Sequence, residues 1–231
     1  MVDASKPCLI PAGSGGFGGA YMNYERDSIE DALLPWLAGQ SPGTVLDLGC
    51  GHGGLGVRMA EEGHRVICWD LQPECVEASQ AHFDDRGLSS SFDGMCGTME
   101  DPDCWQRIGR ERGLLALTLM RSLIWVPADT AVKVLVHARG KLAADGRVWF
   151  VVLGCDAPIV PESHRAVPLR QRFAPISPEA GELINMRQPV TTYSSRELAE
   201  LFQEAGLTIG EMRTTGYGHH KGWAFADSGA V

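Results

Sequence analysis

The chain has 231 residues, of which 44% are hydrophobic and 21% charged. That is enough for one large α/β core, or for such a core with a small lid. The net charge of −9 argues against generic binding of phosphate backbones, which clustered Lys and Arg would hold, though a local basic groove stays open.

No run of about 18 apolar residues occurs, so no membrane span is expected. Met1–Gly19 lacks the continuous apolar core of a secretory signal, and the expected location is cytoplasmic. The seven cysteines are odd in number and form no C-x-x-C pair, which fits reduced, mostly buried thiols better than disulfides or zinc. Residues 1–20 are rich in Gly, Pro and Ser and read as a flexible segment, either a plain mobile terminus or a flap over a ligand. Tyr21–Trp36 reads as a helix with Ile29, Leu33, Leu34 and Trp36 on one face.

Val45–Ser79 carries the strongest signal. A short apolar strand (Val45, Leu46, Leu48) runs into Gly49-Cys50-Gly51-His52-Gly53-Gly54, and the turn opens a helix over about Gly54–Glu62. A second apolar strand follows and ends on Asp70. Glycines at a strand end let the backbone approach a ligand closely, and the helix N-terminus offers free N–H groups. An acid at the end of the next strand is placed to accept from ribose hydroxyls. The spacing Gly49-x-Gly51-x-x-Gly54 also matches a dinucleotide fingerprint, so a nicotinamide oxidoreductase is one alternative. Asp47, two residues before the first glycine, suits a cation and would repel a pyrophosphate.

On Val45–Gly53 and Asp70 the sequence resembles the class I S-adenosylmethionine-dependent methyltransferases. The resemblance implies an α/β fold with a seven-stranded Rossmann-like sheet, mostly parallel with an antiparallel last strand and helices on both faces. It implies one domain over 1–231 with a lid-like insert after the fifth strand, at 155–192. It also implies a cofactor site, S-adenosyl-L-methionine giving S-adenosyl-L-homocysteine, built from Asp47, Gly49, Cys50, Gly51, Gly53, Asp70 and Leu71. Thr98, Met99 and Glu100 would serve the adenine edge, and Met120 and Arg121 would border the methyl group. Thr98 stands where the family usually has an acid. Tyr21 and Tyr24 are candidates for the border of the transfer site, or else pack on the sheet.

The remaining elements follow in order. Pro73 opens a helix to about Arg86, with Val76, Ala78 and Phe83 inward and Gly87 past its end. Leu88–Phe92 reads as a weak third strand, and Leu114–Leu119 as a buried central one ending at Met120-Arg121-Ser122. No D-P-P-Y or N-P-P-Y motif follows, which argues against adenine-N6 and glutamine methylation. Pro127–Leu142 reads as a helix with Val132, Leu135 and Val136 at helical spacing; residues 144–146 read as a turn and Arg147–Leu153 as the fifth strand.

The insert 155–192 holds six of the thirteen prolines, and its Arg165, Arg170, Arg172 and Arg187 either clamp an anionic substrate or are solvated. Ser194–Ala205 is a Ser-capped helix, and Leu207–Thr214 and Gly222–Ala226 are the last strands. Between them, His219 and His220 sit in a loop without a third metal ligand. With Tyr24, and more remotely His164, they are the candidate bases. The expected function is methyl transfer to an O or N atom of a small molecule, without metal, nucleic acid or membrane partners. A peptide or tRNA-nucleoside acceptor, or a non-catalytic cofactor-binding protein, is the alternative.

Overall fold

The computed structural model describes residues 26–108, 113–176, 188–215 and 218–226. The elements alternate: α1 (Arg26–Ala38), β1 (Thr44–Leu48), α2 (Gly54–Glu61), β2 (Arg65–Asp70), α3 (Pro73–Asp85), β3 (Phe92–Cys96), α4 (Pro102–Arg107), β4 (Leu114–Met120), α5 (Ala128–Lys141) and β5 (Leu142–Leu153). A short α6 (Glu162–Arg165), then α7 (Ser195–Glu204), β6 (Leu207–Thr214) and β7 (His219–Ala226) complete the chain. The strands form one seven-stranded sheet in the order β3-β2-β1-β4-β5-β7-β6. β1 to β5 pair in parallel, and β7 runs antiparallel to both β5 and β6.

Successive strand side chains point to opposite faces, so an apolar run fills two cores. Val45, Val66, Cys68, Ala116, Trp149 and Val151 face α1, α2 and α3, represented by Leu33, Val57 and Phe83. Leu46, Leu48, Leu117, Leu119, Phe150 and Val152 face the other way, against Trp105 of α4, Val134 of α5 and Phe202 of α7. The strand order reverses between β1 and β4, which opens a crevice at the carboxyl ends of these strands.

Several expectations need correction. The third strand is Phe92–Cys96, because Ser89–Ser91 closes into a 3-10 turn. Residues 144–146 are a bulge inside β5, since the β4–β5 register jumps from Leu114↔Leu142 to Ala116↔Arg147. The inward face of α3 is Cys75, Ser79 and Phe83 rather than Val76 and Ala78. In α5, Ala131, Val134, Leu135 and Ala138 are buried and Val136 is exposed.

β7 starts at His219, three residues earlier than Gly222, so the two histidines lie in a strand. The insert arginines within the described residues bind protein. Arg172 is buried and donates to Glu197 Oε1 and Oε2, both at 2.8 Å, and to the carbonyls of Val167 and Thr192, both at 2.9 Å. Arg170 pairs with Asp129 and Glu204, and Arg165 donates to the carbonyls of Val160 and Ala157. Arg187 lies outside the described residues.

Candidate functional site

β1 delivers the chain into the crevice at Gly49. The N–H groups of Gly49 and Cys50 both donate to the carbonyl of Trp69, at 2.7 and 3.2 Å, and so lash the turn to β2. Gly49 has φ 80, and a Cβ there would lie 2.7 Å from Cβ of Ser122. Gly53 has φ 75, and a Cβ there would meet Oγ of Ser79 at 2.8 Å. Both positions need glycine for conformation and for space. Ser79 of α3 donates its hydroxyl to the carbonyl of Gly51 at 2.9 Å, which fixes the turn from below.

Two carboxylates flank this turn. Asp70 closes β2; its Oδ2 accepts from the Gly51 N–H and its Oδ1 from the Gln72 N–H, each at 3.0 Å. Asp47 lies on β1 with its side chain buried, and Oδ1 accepts from the Thr118 hydroxyl of β4 at 2.6 Å. Burial pushes the Asp47 carboxyl up to about 6; the Thr118 hydrogen bond opposes this and the charge of Asp70 adds to it. Among the described residues, neither acid forms a salt bridge with a basic side chain. Two acids and the N-terminus of α2 thus meet at one turn.

The turn after β3 bounds the crevice on the far side. Trp69 Nε1 donates to the Gly97 carbonyl at 2.9 Å and Trp105 Nε1 to the Met99 carbonyl at 2.8 Å. Glu100 accepts from Thr130 at 3.1 Å and faces Lys133 at 3.8 Å, so it is drawn toward α5. Asp101 caps α4, accepting from the Asp103 N–H at 2.9 Å. The Met99 carbonyl, Glu100 and Asp101 are therefore engaged, and Thr98 is left exposed at the rim. Leu71 is 45% exposed, a large apolar side chain standing open beside Asp70.

β4, β5 and β7 form the other wall. Met120 pairs with Val151, and Val151 with Lys221, so these three side chains stand in one row on the α1 face. Arg121 follows with φ 67, in the left-handed region that bulky side chains avoid, and its N–H donates to the carbonyls of Val151 at 2.8 Å and Leu119 at 3.0 Å. Ser122 is buried, and its hydroxyl has no partner among the described residues.

The two adjacent histidines separate onto opposite faces. His219 shares the face of Lys221 and is pushed down to about 4, mainly by burial and then by the charges of Arg121 and Lys221. Its imidazole is neutral at physiological pH. His220 points into the opposite core. Its Nε2 donates to the Tyr193 carbonyl at 3.0 Å, and its Nδ1 lies 2.9 Å from the Thr214 hydroxyl and accepts from it. Both ring nitrogens are thus occupied, and His220 holds the insert's return against the hairpin. His164 is buried in α6, lowered by burial and by Arg172. Tyr21 and Tyr24 lie outside the described residues.

The turn therefore brings together Asp47, Gly49, Cys50, Gly51, Gly53, Asp70 and Leu71. Sequence reasoning overlooked Thr118, Ser79 and Lys221. A period-2 alternation of His219, Lys221, Trp223 and Phe225 was the available signal for the last. Among the described residues no group of three or more His, Cys, Asp or Glu is arranged to hold a metal, and no helix is long and apolar enough to cross a membrane.

A family model described as "Methyltransferase domain" matches residues 45–146. Among solved structures, the chain is similar to an O-methyltransferase from neocarzinostatin biosynthesis, solved with S-adenosylmethionine and 2-hydroxy-5-methyl naphthoic acid. That match has TM-score 0.57 and 22% identity over 83% of this chain and 50% of the other. It is similar to the PH0226 protein of Pyrococcus horikoshii, with TM-score 0.65 and 14% identity over 86% of this chain and 88% of that one. It is also similar to the CcbJ methyltransferase of Streptomyces caelestis, with TM-score 0.64 and 15% identity over 87% and 89%. At these identities the likeness is one of fold. The chain spans about half the length of the O-methyltransferases it resembles.

Proposed function

We propose that the protein is a class I S-adenosylmethionine-dependent methyltransferase, a reading supported by the match of residues 45–146 to the methyltransferase-domain model, and that it methylates an oxygen or nitrogen atom of a small molecule. Asp47 carries this assignment. A buried carboxyl held up to about 6, beside a second acid and with no basic partner among the described residues, is stabilised by an incoming cation. The ammonium of S-adenosylmethionine is such a cation, whereas the pyrophosphate of a dinucleotide would be repelled.

The other residues fit the rest of that molecule. Asp70, already oriented by two backbone N–H groups, would accept from ribose hydroxyls. Leu71 offers an apolar surface to the adenine ring, and Thr98 at the rim offers a hydroxyl to its edge. Gly49, Cys50, Gly51 and Gly53 present backbone at close range. When bound, the cofactor supplies a methyl group already activated by its sulfonium, so alignment and exclusion of water matter more than acid–base help. Met120 and Val151, at the carboxyl ends of β4 and β5, would give the acceptor side an apolar floor. The neutral His219 on the same face would take a proton from an acceptor hydroxyl where one is needed. A small-molecule acceptor is supported by the naphthoic acid bound to the neocarzinostatin-pathway enzyme.

Titration calorimetry of the purified protein tests the cofactor. S-adenosylmethionine and S-adenosylhomocysteine should both bind. Absence of binding at millimolar ligand, or tight binding of NADH instead, overturns the proposal.

A further inference from the structure

Lys221 is a buried basic residue on β7, in one row with Val151 of β5 and Met120 of β4. It is 9% exposed, and among the described residues it has neither a salt bridge nor a hydrogen bond to a carboxylate. The register shows which groups surround it. Val151 is its partner on β5 and Arg213 its partner on β6. Glu211, the acid on that side, is bonded to Arg213. His219 lies two residues away on the same face, and both Lys221 and Arg121 act on it as positive charges. A protein with net charge −9 thus places Arg121 and Lys221 together where the carboxyl ends of β4 and β5 meet the amino end of β7. A buried ammonium without a counter-ion is costly, and an anion arriving there relieves that cost.

Resting on the methyltransferase reading above, we infer that the acceptor is a carboxylic acid whose carboxylate pairs with Lys221. A singly charged carboxylate matches one ammonium better than a dianion does in a chain of this net charge. The row Met120–Val151–Lys221 also sets the acceptor's size. Its ends are two strand spacings apart, about 10 Å at the backbone. The acceptor hydroxyl or amine lies toward Met120 and the glycine turn, and the carboxylate lies toward β7.

The test uses the full chain saturated with S-adenosylhomocysteine and a panel of 3-hydroxybenzoate, 3-hydroxyphenylacetate and 4-hydroxycinnamate, each beside its primary amide. Calorimetry should show at least one acid binding about tenfold or more tightly than its amide, since charge-assisted bonds at a desolvated site are strong. Lys221→Met should abolish this preference with unchanged S-adenosylhomocysteine affinity, and Lys221→Arg should retain it. Equal binding of acids and amides, no binding by any acid, or a preference that survives in Lys221→Met overturns the inference. If Lys221→Met fails to fold, the wild-type comparison and Lys221→Arg decide. Failure of wild type to bind S-adenosylhomocysteine instead sinks the cofactor assignment beneath it.

Discussion

Asp47 and Thr118 face each other across β1 and β4, their oxygens 2.6 Å apart, at the point where the strand order reverses. The hydroxyl holds a carboxyl that burial works to neutralise. Its folded pKa of about 6 lies above the ordinary aspartate value, so folding takes up a proton between the two. That contribution is fully present below the unfolded pKa and is lost as pH rises through about 6. Two pK units amount to ~3 kcal/mol. Asp47→Asn should therefore exceed the wild type in urea stability at pH 7.5 by up to ~3 kcal/mol, and the two should converge near pH 4. The same variant should bind S-adenosylmethionine at least tenfold more weakly, roughly the worth of one charge-assisted bond.

Asp70 has both oxygens committed to backbone N–H groups of the site, at Gly51 and Gln72. Asp70→Ala should weaken S-adenosylhomocysteine binding by roughly 10- to 100-fold, from lost charged hydrogen bonds and a loosened turn. Calorimetry reads the effect, and unchanged affinity would remove Asp70 from the site.

Gly49 and Ser122 share one volume. Gly49→Ala should cost about 1–3 kcal/mol, through positive φ and the clash with Ser122. Adding Ser122→Gly should recover the clash and leave the conformational part. A double-mutant cycle by chemical denaturation should thus give a non-zero coupling.

Arg172 is buried and forks onto Glu197 while binding carbonyls on both sides of the insert. Arg172→Met should destabilise by about 3–5 kcal/mol because Glu197 loses its buried partner. Affinity for S-adenosylhomocysteine in the folded fraction should not change. Thermal unfolding and calorimetry together check this.

The adjacent histidines should separate in experiment. His220→Ala should lower the melting temperature, since both ring nitrogens hold structure. His219→Ala should reduce turnover while leaving cofactor affinity intact. With His219 near 4, protonation silences it only in acid. The acid limb of turnover should therefore fall well below the ordinary histidine value.

The elements legible in the sequence were those whose signal is local. β1, β2 and the glycine turn are marked by an apolar run, glycines at fixed offsets and a terminal acid within one short stretch. β3 was misplaced because Phe92-Asp-Gly-Met-Cys96 has little strand character of its own and is held by pairing with β2. The insert arginines looked free because Glu197, the partner of Arg172, lies 25 residues further on. Lys221 was overlooked because Gly-His-His-Lys-Gly reads as polar loop, and pairing with β5 is what buries it.

The antiparallel placement of β7 makes the chain modular. The groups proposed to hold the methyl donor fall within residues 47–98, whereas His219 and Lys221 arrive on the C-terminal hairpin. On this proposal, donor and acceptor recognition lie in separate stretches of the chain. A chimera that exchanges only β6 and β7 with a relative of the same topology should change which acids are methylated and leave the donor unchanged. Selection for a new acceptor would be expected to accumulate substitutions in that hairpin.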